Sequence, residues 1–157
     1  MKITFIAHSA FLVEWDKFYT LFDYVYEPDY TGTLPPLDPQ KPLLVFSSHS
    51  HEDHFDGKVF GLLEQYPLTQ FFVSRDTRLT ERRRKWLGIS DEAFARTTVL
   101  RPDSILLTEA AGEELSVRAI KSTDIGNAYL LRAEGKMVYH GGDLNWWHWE
   151  SEGKAYC

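Results

Sequence analysis

Apolar and polar residues alternate near the start of the chain, around Ile3 and Phe5 and again from Leu12 to Trp15. A period of two is typical of half-buried strands, so the first 22 residues predict two or three short strands, the last over residues 18–22. Residues 28–42 hold five of the seven prolines and predict a surface loop. The continuous apolar run at residues 43–46 is typical of a strand buried on both faces.

Helical and extended patterns alternate in the rest of the chain. Apolar residues at helical spacing predict a helix over residues 59–66, ended by Pro67, and residues 71–73 predict another buried strand. Residues 76–87 predict a helix with Asp76 as its cap and Gly88 just past its end. Further strands are predicted at 105–107, 115–120, 128–131 and 137–139, with a hairpin turn at 134–136. The pattern indicates one layered α/β or α+β domain over residues 1–157.

Composition narrows the class of protein. A 15% aromatic content argues against disorder, and 17 basic against 23 acidic residues give a net charge of −6, which does not favour a nucleic-acid partner. The single cysteine, Cys157, excludes an intramolecular disulfide. The sequence shows neither a signal-peptide pattern nor the ~18 consecutive apolar residues of a membrane helix. We therefore expect a cytoplasmic protein without a membrane segment.

Three histidines and an aspartate lie within six residues, directly after the buried strand at 43–46: His49, His51, Asp53 and His54. In extended chain the first two histidines point to the same side and can hold one ion together. Imidazole nitrogen and carboxylate oxygen are suitable zinc ligands, and ligands bind beyond the carboxyl ends of strands in open α/β sheets. A polar helix start, with Asp53 stabilising the helix dipole, is the alternative. Because half of the six histidines fall here, the sequence favours a metal site.

The sequence resembles the metallo-β-lactamase superfamily. The run His49-Ser50-His51-Glu52-Asp53-His54 matches its HxHxDH signature. The earlier segments Ile6-Ala7-His8-Ser9-Ala10-Phe11-Leu12-Val13 and Leu21-Phe22-Asp23 are similar to the first strands of its lactonase-like members. The later segment Tyr139-His140-Gly141-Gly142-Asp143 is similar to the motif in which an aspartate bridges two metals.

This resemblance implies a four-layer αβ/βα sandwich with a metal site at one edge of its two sheets. It implies that His49 and His51 hold a first ion, that Asp53 and His54 hold a second, and that Asp143 bridges them. The implied cofactor is zinc, one or two ions, with iron or manganese as alternatives. The implied reaction is hydrolysis of an ester, lactone, amide or phosphoester in a small-molecule substrate, with Asp53 as the catalytic residue that acts on the attacking water. A catalytically silent metal-binding or scaffold protein is the rival hypothesis.

Two features depart from the family pattern. The family usually supplies a third histidine to the first metal, but residues 121–127 contain none; Thr123, Asp124 or water are the alternatives, and Asp124 also suits a structural turn beside Gly126. The chain also stops 14 residues after Asp143, so we expect the fold to be truncated at its carboxyl end and favour a fragment over a natural truncation. Three uncovered tryptophans would form an apolar patch, which predicts self-association: Trp146, Trp147 and Trp149.

The remaining histidines and a basic run each have two interpretations. His148 is a replacement ligand or, more in keeping with its tryptophan neighbours, a packed residue. His8 is a hydrogen-bonding partner of a ligand or substrate, or a polar residue at a strand end. We expect His140 to pack against or orient its loop. The run at residues 82–85, with Arg75 and Arg78 nearby, suits a phosphate or RNA site less well than a solvated helix face.

Overall fold

The computed structural model describes residues 1–144, in which ten strands form two sheets. The first sheet has six strands in chain order: β1 (Lys2–Ala7), β2 (Ala10–Glu14), β3 (Tyr19–Phe22), β4 (Leu43–Ser47), β5 (Thr69–Ser74) and β6 (Thr97–Leu100). Strands β1 to β3 are antiparallel, whereas β3 to β6 are parallel. The carboxyl ends of four neighbouring strands therefore meet at one edge.

The second sheet is antiparallel throughout. Its strands are β7 (Ile105–Ala110), β8 (Glu113–Lys121), β9 (Asn127–Ala133) and β10 (Lys136–His140), in the spatial order β10-β9-β8-β7. Glu134 and Gly135 both have positive φ, as a two-residue type I′ hairpin turn requires. The predicted turn also included Lys136, which instead begins β10.

Two apolar cores, one on each face of the first sheet, lie between the layers of the fold. Between the sheets, Phe46 stacks on Phe22 and Phe72 at centroid distances of 5.2 and 4.7 Å and contacts Tyr129 of the second sheet. On the other face of the first sheet, residues such as Val45 and Phe71 pack against Phe60 and its helical neighbours. All five residues of β4 are buried, as its continuous apolar run predicts. Deleting a phenylalanine from such a core costs about 3–5 kcal/mol.

The helices are short and lie on the outer face of the first sheet. The predicted helix at 59–66 is a 3-10 turn, Gly57–Gly61, followed by α1 (Leu62–Gln65). The predicted helix at 76–87 is wrong in its first half: a 3-10 turn, Arg75–Thr77, ends at Arg78 with φ of 48°, and α2 (Glu81–Trp86) begins after Thr80. The sequence pattern missed a third helix, α3 (Asp91–Ala95).

Asp76 is not the helix cap that the sequence predicted. Thr80 caps α2 by accepting a hydrogen bond from the Arg83 amide at 3.2 Å. The Asp76 carboxylate instead accepts a 2.8 Å hydrogen bond from the Ser50 amide, because the end of β5 lies beside the loop that follows β4. A residue predicted to start a helix thus supports the histidine segment.

Three layers of the expected sandwich are present in residues 1–144: short helices, the first sheet and the second sheet. Apolar side chains on the outer face of the second sheet are exposed, with Leu107 77% and Ile105 65% accessible, and Met137 and Tyr139 about half accessible. The tryptophan cluster and His148 fall in residues 145–157, outside the described part of the chain. The described residues include no helix long and apolar enough to cross a membrane. A cytoplasmic location stays a prediction.

The exposed face of the second sheet generates a prediction about self-association. We expect the 157-residue chain to associate as its concentration rises, since burying exposed apolar surface is favourable by about 25 cal/mol per Å². Leu107→Lys should weaken this association, because it replaces an exposed leucine of this face, on the edge strand β7, with a charged side chain. Sedimentation velocity over a concentration series checks both expectations. Thr98→Lys, on an exposed position of the other sheet, is the matched control; equal association of all three proteins would contradict the assignment of this face.

Candidate metal centre

The segment after β4 carries polar side chains into the protein interior. Ser48, His49 and His54 are at most 1% exposed. His51 is exposed, and its Nδ1 lies 3.0 Å from Nε2 of His49, which confirms that the two-residue spacing turns both rings to one side. The chain then turns back, because the amides of His54 and Phe55 donate to the His51 carbonyl. The next helical turn begins at Gly57, so the histidine motif lies in a loop rather than at a helix start.

Asp23 lies at the centre of the buried polar network. Its carboxylate accepts four hydrogen bonds: from the amide and hydroxyl of Ser48 at 2.7 Å each, from His54 Nδ1 at 2.8 Å and from His140 Nε2 at 2.7 Å. Asp23 has φ of 46° directly after β3, which turns its side chain toward the neighbouring parallel strand β4. A fully buried carboxylate requires partners of this kind.

The ionisation state of this network follows from its contacts. Burial alone would raise the pKa of Asp23, but the charges and hydrogen bonds of His140 and His54 outweigh burial and hold that pKa below its ordinary range. Burial would lower the pKa of His54, but Asp23, followed by Asp143 and Asp53, raises it. Burial, with the neighbouring His54, lowers the pKa of His49. The centre is therefore an electronegative site that contains a neutral imidazole.

An ionised Asp23 determines which nitrogen of each buried histidine remains available. A carboxylate only accepts, so His54 Nδ1 donates to it, and when the ring is neutral the lone pair of His54 is on Nε2. The Ser48 hydroxyl also donates to Asp23, so its oxygen accepts from His49 Nδ1 at 2.9 Å, which leaves the lone pair of His49 on Nε2. Oriented imidazoles of this kind are typical of metal ligands.

The candidate ligand atoms form two groups, each with all its atoms within 4.8 Å of one another. One group contains His49, His51, Asp124 and Asp143; the other contains His8, Asp53 and His54. Asp143 lies between them: its Oδ2 is 3.5 Å from Nε2 of His49 and its Oδ1 is 3.3 Å from Nε2 of His54. The five ligands predicted from the sequence thus come together, and Asp143 reaches both groups as the resemblance implies.

The donor set and its environment fit a transition metal. Nε2 of His54 is buried and makes no hydrogen bond within the described residues, although carboxylates of Asp143 and Asp53 lie 3.3 and 3.5 Å away. A buried polar atom without a partner costs about 1–3 kcal/mol, so such atoms are rare without a function. Imidazole nitrogens with carboxylate oxygens are the ligands of zinc, iron and manganese sites.

Asp124 and His8 each take a more direct position than the sequence favoured. Asp124 lies in a turn, where its amide donates to the Ser122 hydroxyl, yet its Oδ2 is also 3.7 Å from Nδ1 of His51. It thus reaches the first group from residues 121–127, the stretch in which the resemblance implies a histidine. His8, with φ of 46°, places Nε2 3.0 Å from Oδ2 of Asp53. His140 lies where expected, stacked on Phe22 at 4.7 Å and bonded to Asp23.

Gly126 holds the Asp124 loop against the histidine segment. It has φ of 75°, and a Cβ there would lie 2.3 Å from the Ser48 carbonyl oxygen and 2.5 Å from the His49 Cβ. The next amide, that of Asn127, donates to the same Ser48 carbonyl at 2.9 Å. Only glycine permits this close approach, which brings Asp124 to the first group.

The network supporting the histidines was largely missed from the sequence. Asp23 was noted as the end of a strand but given no role, and Ser48 was not singled out. The available signal was an aspartate directly after a short apolar run, followed by a second buried run that ends in two serines. Parallel pairing of β3 and β4, with Phe22 opposite Phe46, then places Asp23 beside Ser48. That pairing is not readable from the local pattern.

Asp23→Asn tests the network, since an amide cannot accept from four donors and carries no charge. We expect the free energy of unfolding to fall by about 3–5 kcal/mol, the usual cost of breaking a buried ion pair by removing one partner. We also expect bound metal to be held about 10–100-fold more weakly. Urea denaturation and chelator competition measure the two effects. Asp29→Asn, on an exposed loop, is the control; a change at Asp23 no larger than this control would contradict the network's role.

The sequence and the fold are both similar to those of known proteins. Residues 2–153 match the β-lactamase superfamily domain. A protein of Opitutus terrae, described as a UPF0173 metal-dependent hydrolase, is 29% identical over 153 residues; the alignment covers 91% of this chain and 63% of that protein. The chain thus spans less than two thirds of the length of this curated relative.

Two solved structures show the same fold. Igni18, a metallo hydrolase from Ignicoccus hospitalis, aligns with a TM-score of 0.58 at 22% identity, covering 89% of this chain and 59% of its own. CmlA, a diiron β-hydroxylase from Streptomyces venezuelae, aligns with a TM-score of 0.58 at 14% identity, covering 90% of this chain and 29% of its own. With the match over residues 2–153, the two packed sheets and the ligand groups at their edge, the chain belongs to the metallo-β-lactamase superfamily.

Proposed function

We propose that the protein is a metal-dependent hydrolase that acts on a small-molecule substrate. The observation that carries this proposal is the position of Asp143 between two groups of ligand atoms, facing Nε2 of His54, which has no hydrogen-bond partner within residues 1–144. The curated relative from Opitutus terrae is described as a metal-dependent hydrolase, which supports the same reaction class. The CmlA structure shows that this fold also carries oxidative chemistry, so the reaction class rests on the sequence relative and the site rather than on the fold.

The proposed metal is zinc, in one or two ions, with iron or manganese as alternatives. His49, His51 and Asp143 would hold the first ion, with the Asp124 carboxylate in place of a third histidine. Asp53, His54 and Asp143 would hold the second, with His8 beside Asp53. When bound, such ions supply Lewis acidity and lower the pKa of a water to near 7.

We assign Asp53 the role of catalytic residue. Its side chain is 26% exposed, between the buried His54 and the solvent-facing His8. The 3.0 Å contact with His8 Nε2 engages Oδ2, which leaves Oδ1 to accept a proton from, or orient, an attacking water. This role fits hydrolysis of an ester, lactone, amide or phosphoester.

The rival proposal is a metal-binding protein that no longer catalyses a reaction. It is favoured by one observation, the aspartate at position 124 in place of the family's usual third histidine. The enzyme is favoured by the position of Asp53, whose partly exposed carboxylate lies beside His8 and His54 in the second ligand group. Metal content alone does not separate the two proposals, whereas activity does.

The first prediction from this proposal concerns metal content. Protein purified without chelator should contain zinc, iron or manganese, and elemental analysis should find between one and two ions per chain. His49→Ala should lower this content, because it removes a buried ligand of the first group, whereas Glu52→Gln should not, since Glu52 lies in the motif but in neither group. A folded protein without metal above background in every preparation would contradict the proposal.

The second prediction concerns catalysis by Asp53. On a panel of esters, lactones and phosphodiesters, Asp53→Asn should lower kcat by about a hundredfold or more while the fold persists. Glu52→Gln, which alters the adjacent exposed carboxylate, should retain the activity of the unsubstituted chain. If Asp53→Asn hydrolyses a validated substrate at the original rate, Asp53 is not the catalytic residue. If the metal-loaded chain hydrolyses no substrate, the silent rival replaces the enzyme.

A further inference from the structure

A cavity of about 730 Å³ lies beside the metal centre at the carboxyl edge of the first sheet. Its lining includes Ser50, which separates His49 from His51, and Gly126, which follows Asp124 by two residues. Three arginines also line it, Arg75 and Arg78 in the segment after β5 and Arg83 on α2. The remaining wall residues are Ser74, Asp76, Pro102 and Ile125. A molecule in this cavity would therefore lie against two of the three segments that carry ligands of the first group, the one with His49 and His51 and the one with Asp124.

The three arginines that line the cavity have no carboxylate partner among residues 1–144. Arg84, on the same helix as Arg83, shows the contrast: it is paired with Glu81 and Asp91. The Nε atom of Arg83 is buried and has no hydrogen-bond partner within the described residues. Leaving a buried donor of a charged group without an acceptor is costly. The position of Arg83 therefore favours an anionic ligand.

The charged groups of the wall give the cavity a net positive charge. Asp76 is the one carboxylate in the lining, and its Oδ2 accepts from the Ser50 amide. Three arginines against one aspartate give a formal charge of 3 − 1 = +2. Oδ1 of Asp76 and the Ser74 hydroxyl are both buried without a hydrogen-bond partner in the described structure.

We propose that this cavity binds an oxyanion of the substrate, a phosphate or a carboxylate, and so directs an adjacent scissile bond to the metal centre. The inference rests on the proposed hydrolase function and narrows its substrate class to anionic molecules. Guanidinium groups bind phosphate and carboxylate through two parallel hydrogen bonds, which gives orientation as well as affinity. Three of them suit the three oxygens of a phosphate better than the two of a carboxylate.

The prediction that the basic run forms a solvated helix face applies to only some of its residues. It holds for Arg82 and Lys85, which are exposed and absent from the cavity wall, and Arg84 is occupied by its ion pairs. Arg83 instead turns to the cavity that Arg75 and Arg78 also line. The small helix thus offers a matched control for charge within the same stretch of chain.

Titration of the full chain with inorganic phosphate and with acetate, followed by calorimetry, tests the proposal. Arg75→Gln/Arg78→Gln removes two positive charges from the wall, and Arg82→Gln/Lys85→Gln removes two from the exposed face. Each protein is titrated as purified and after chelation, so that anion bound directly to metal is identified as the part lost with chelator. We expect the wall variant to bind anion at least about tenfold more weakly than the control variant in the chelated state.

The two anions distinguish the sources of the oxyanion. Preference for phosphate assigns a phosphorylated substrate, and equal binding of acetate assigns a carboxylate. No binding of either anion at tens of millimolar, or equal losses in the two variants, would overturn the proposal. Its failure is separable from that of the hydrolase function: a chain that hydrolyses neutral esters without binding anions contradicts only the cavity, and a chain that binds anions without metal or hydrolysis contradicts only the enzyme.

Discussion

The buried carboxylate of Asp23 is the group on which the metal centre depends. It lies where a parallel strand pair ends, and its four donors come from two distant segments of the chain: Ser48 and His54 in the loop after β4, and His140 at the end of β10. A buried charge is stable only when such donors surround it. The fold and the site are therefore coupled, because the same hydrogen bonds that satisfy Asp23 fix the direction of the histidine rings.

Two kinds of contact therefore position the ligands: hydrogen bonds to the histidine rings and close backbone approach at glycines. Hydrogen bonds from His54 and, through Ser48, from His49 direct the two Nε2 atoms away from Asp23 and toward Asp143. Close backbone approach positions the loops that carry the carboxylate ligands Asp124 and Asp143. Gly126 brings the Asp124 turn against His49, and Gly142, with φ of 53°, packs so near Ser48 that a Cβ would lie 2.8 Å from its side chain. The loops that carry Asp124 and Asp143 are thus each held against the histidine segment by a glycine of their own.

The sequence predicted the parts of this centre that are local. The buried strand β4, the shared direction of His49 and His51 and the hairpin before His140 all follow from spacing over a few residues. Asp76 shows why the remainder was not predictable: an aspartate before a helical pattern suits a cap, but the neighbouring strand offered the Ser50 amide instead. The roles of Asp23, Asp124 and His8 likewise depend on which strands become neighbours, and that information lies in long-range pairing rather than in any one segment.

We propose that Asp23 orients His54 so that His54 Nε2, together with Asp143, binds a metal ion. A crystal structure of the metal-loaded protein, with anomalous diffraction recorded at the absorption edge of the metal found, tests it most directly. The account predicts an anomalous peak about 2.0–2.2 Å from Nε2 of His54 and from an Asp143 oxygen, with Nδ1 of His54 still bonded to Asp23. Metal held elsewhere, or His54 rotated so that Nε2 bonds to Asp23, would contradict it.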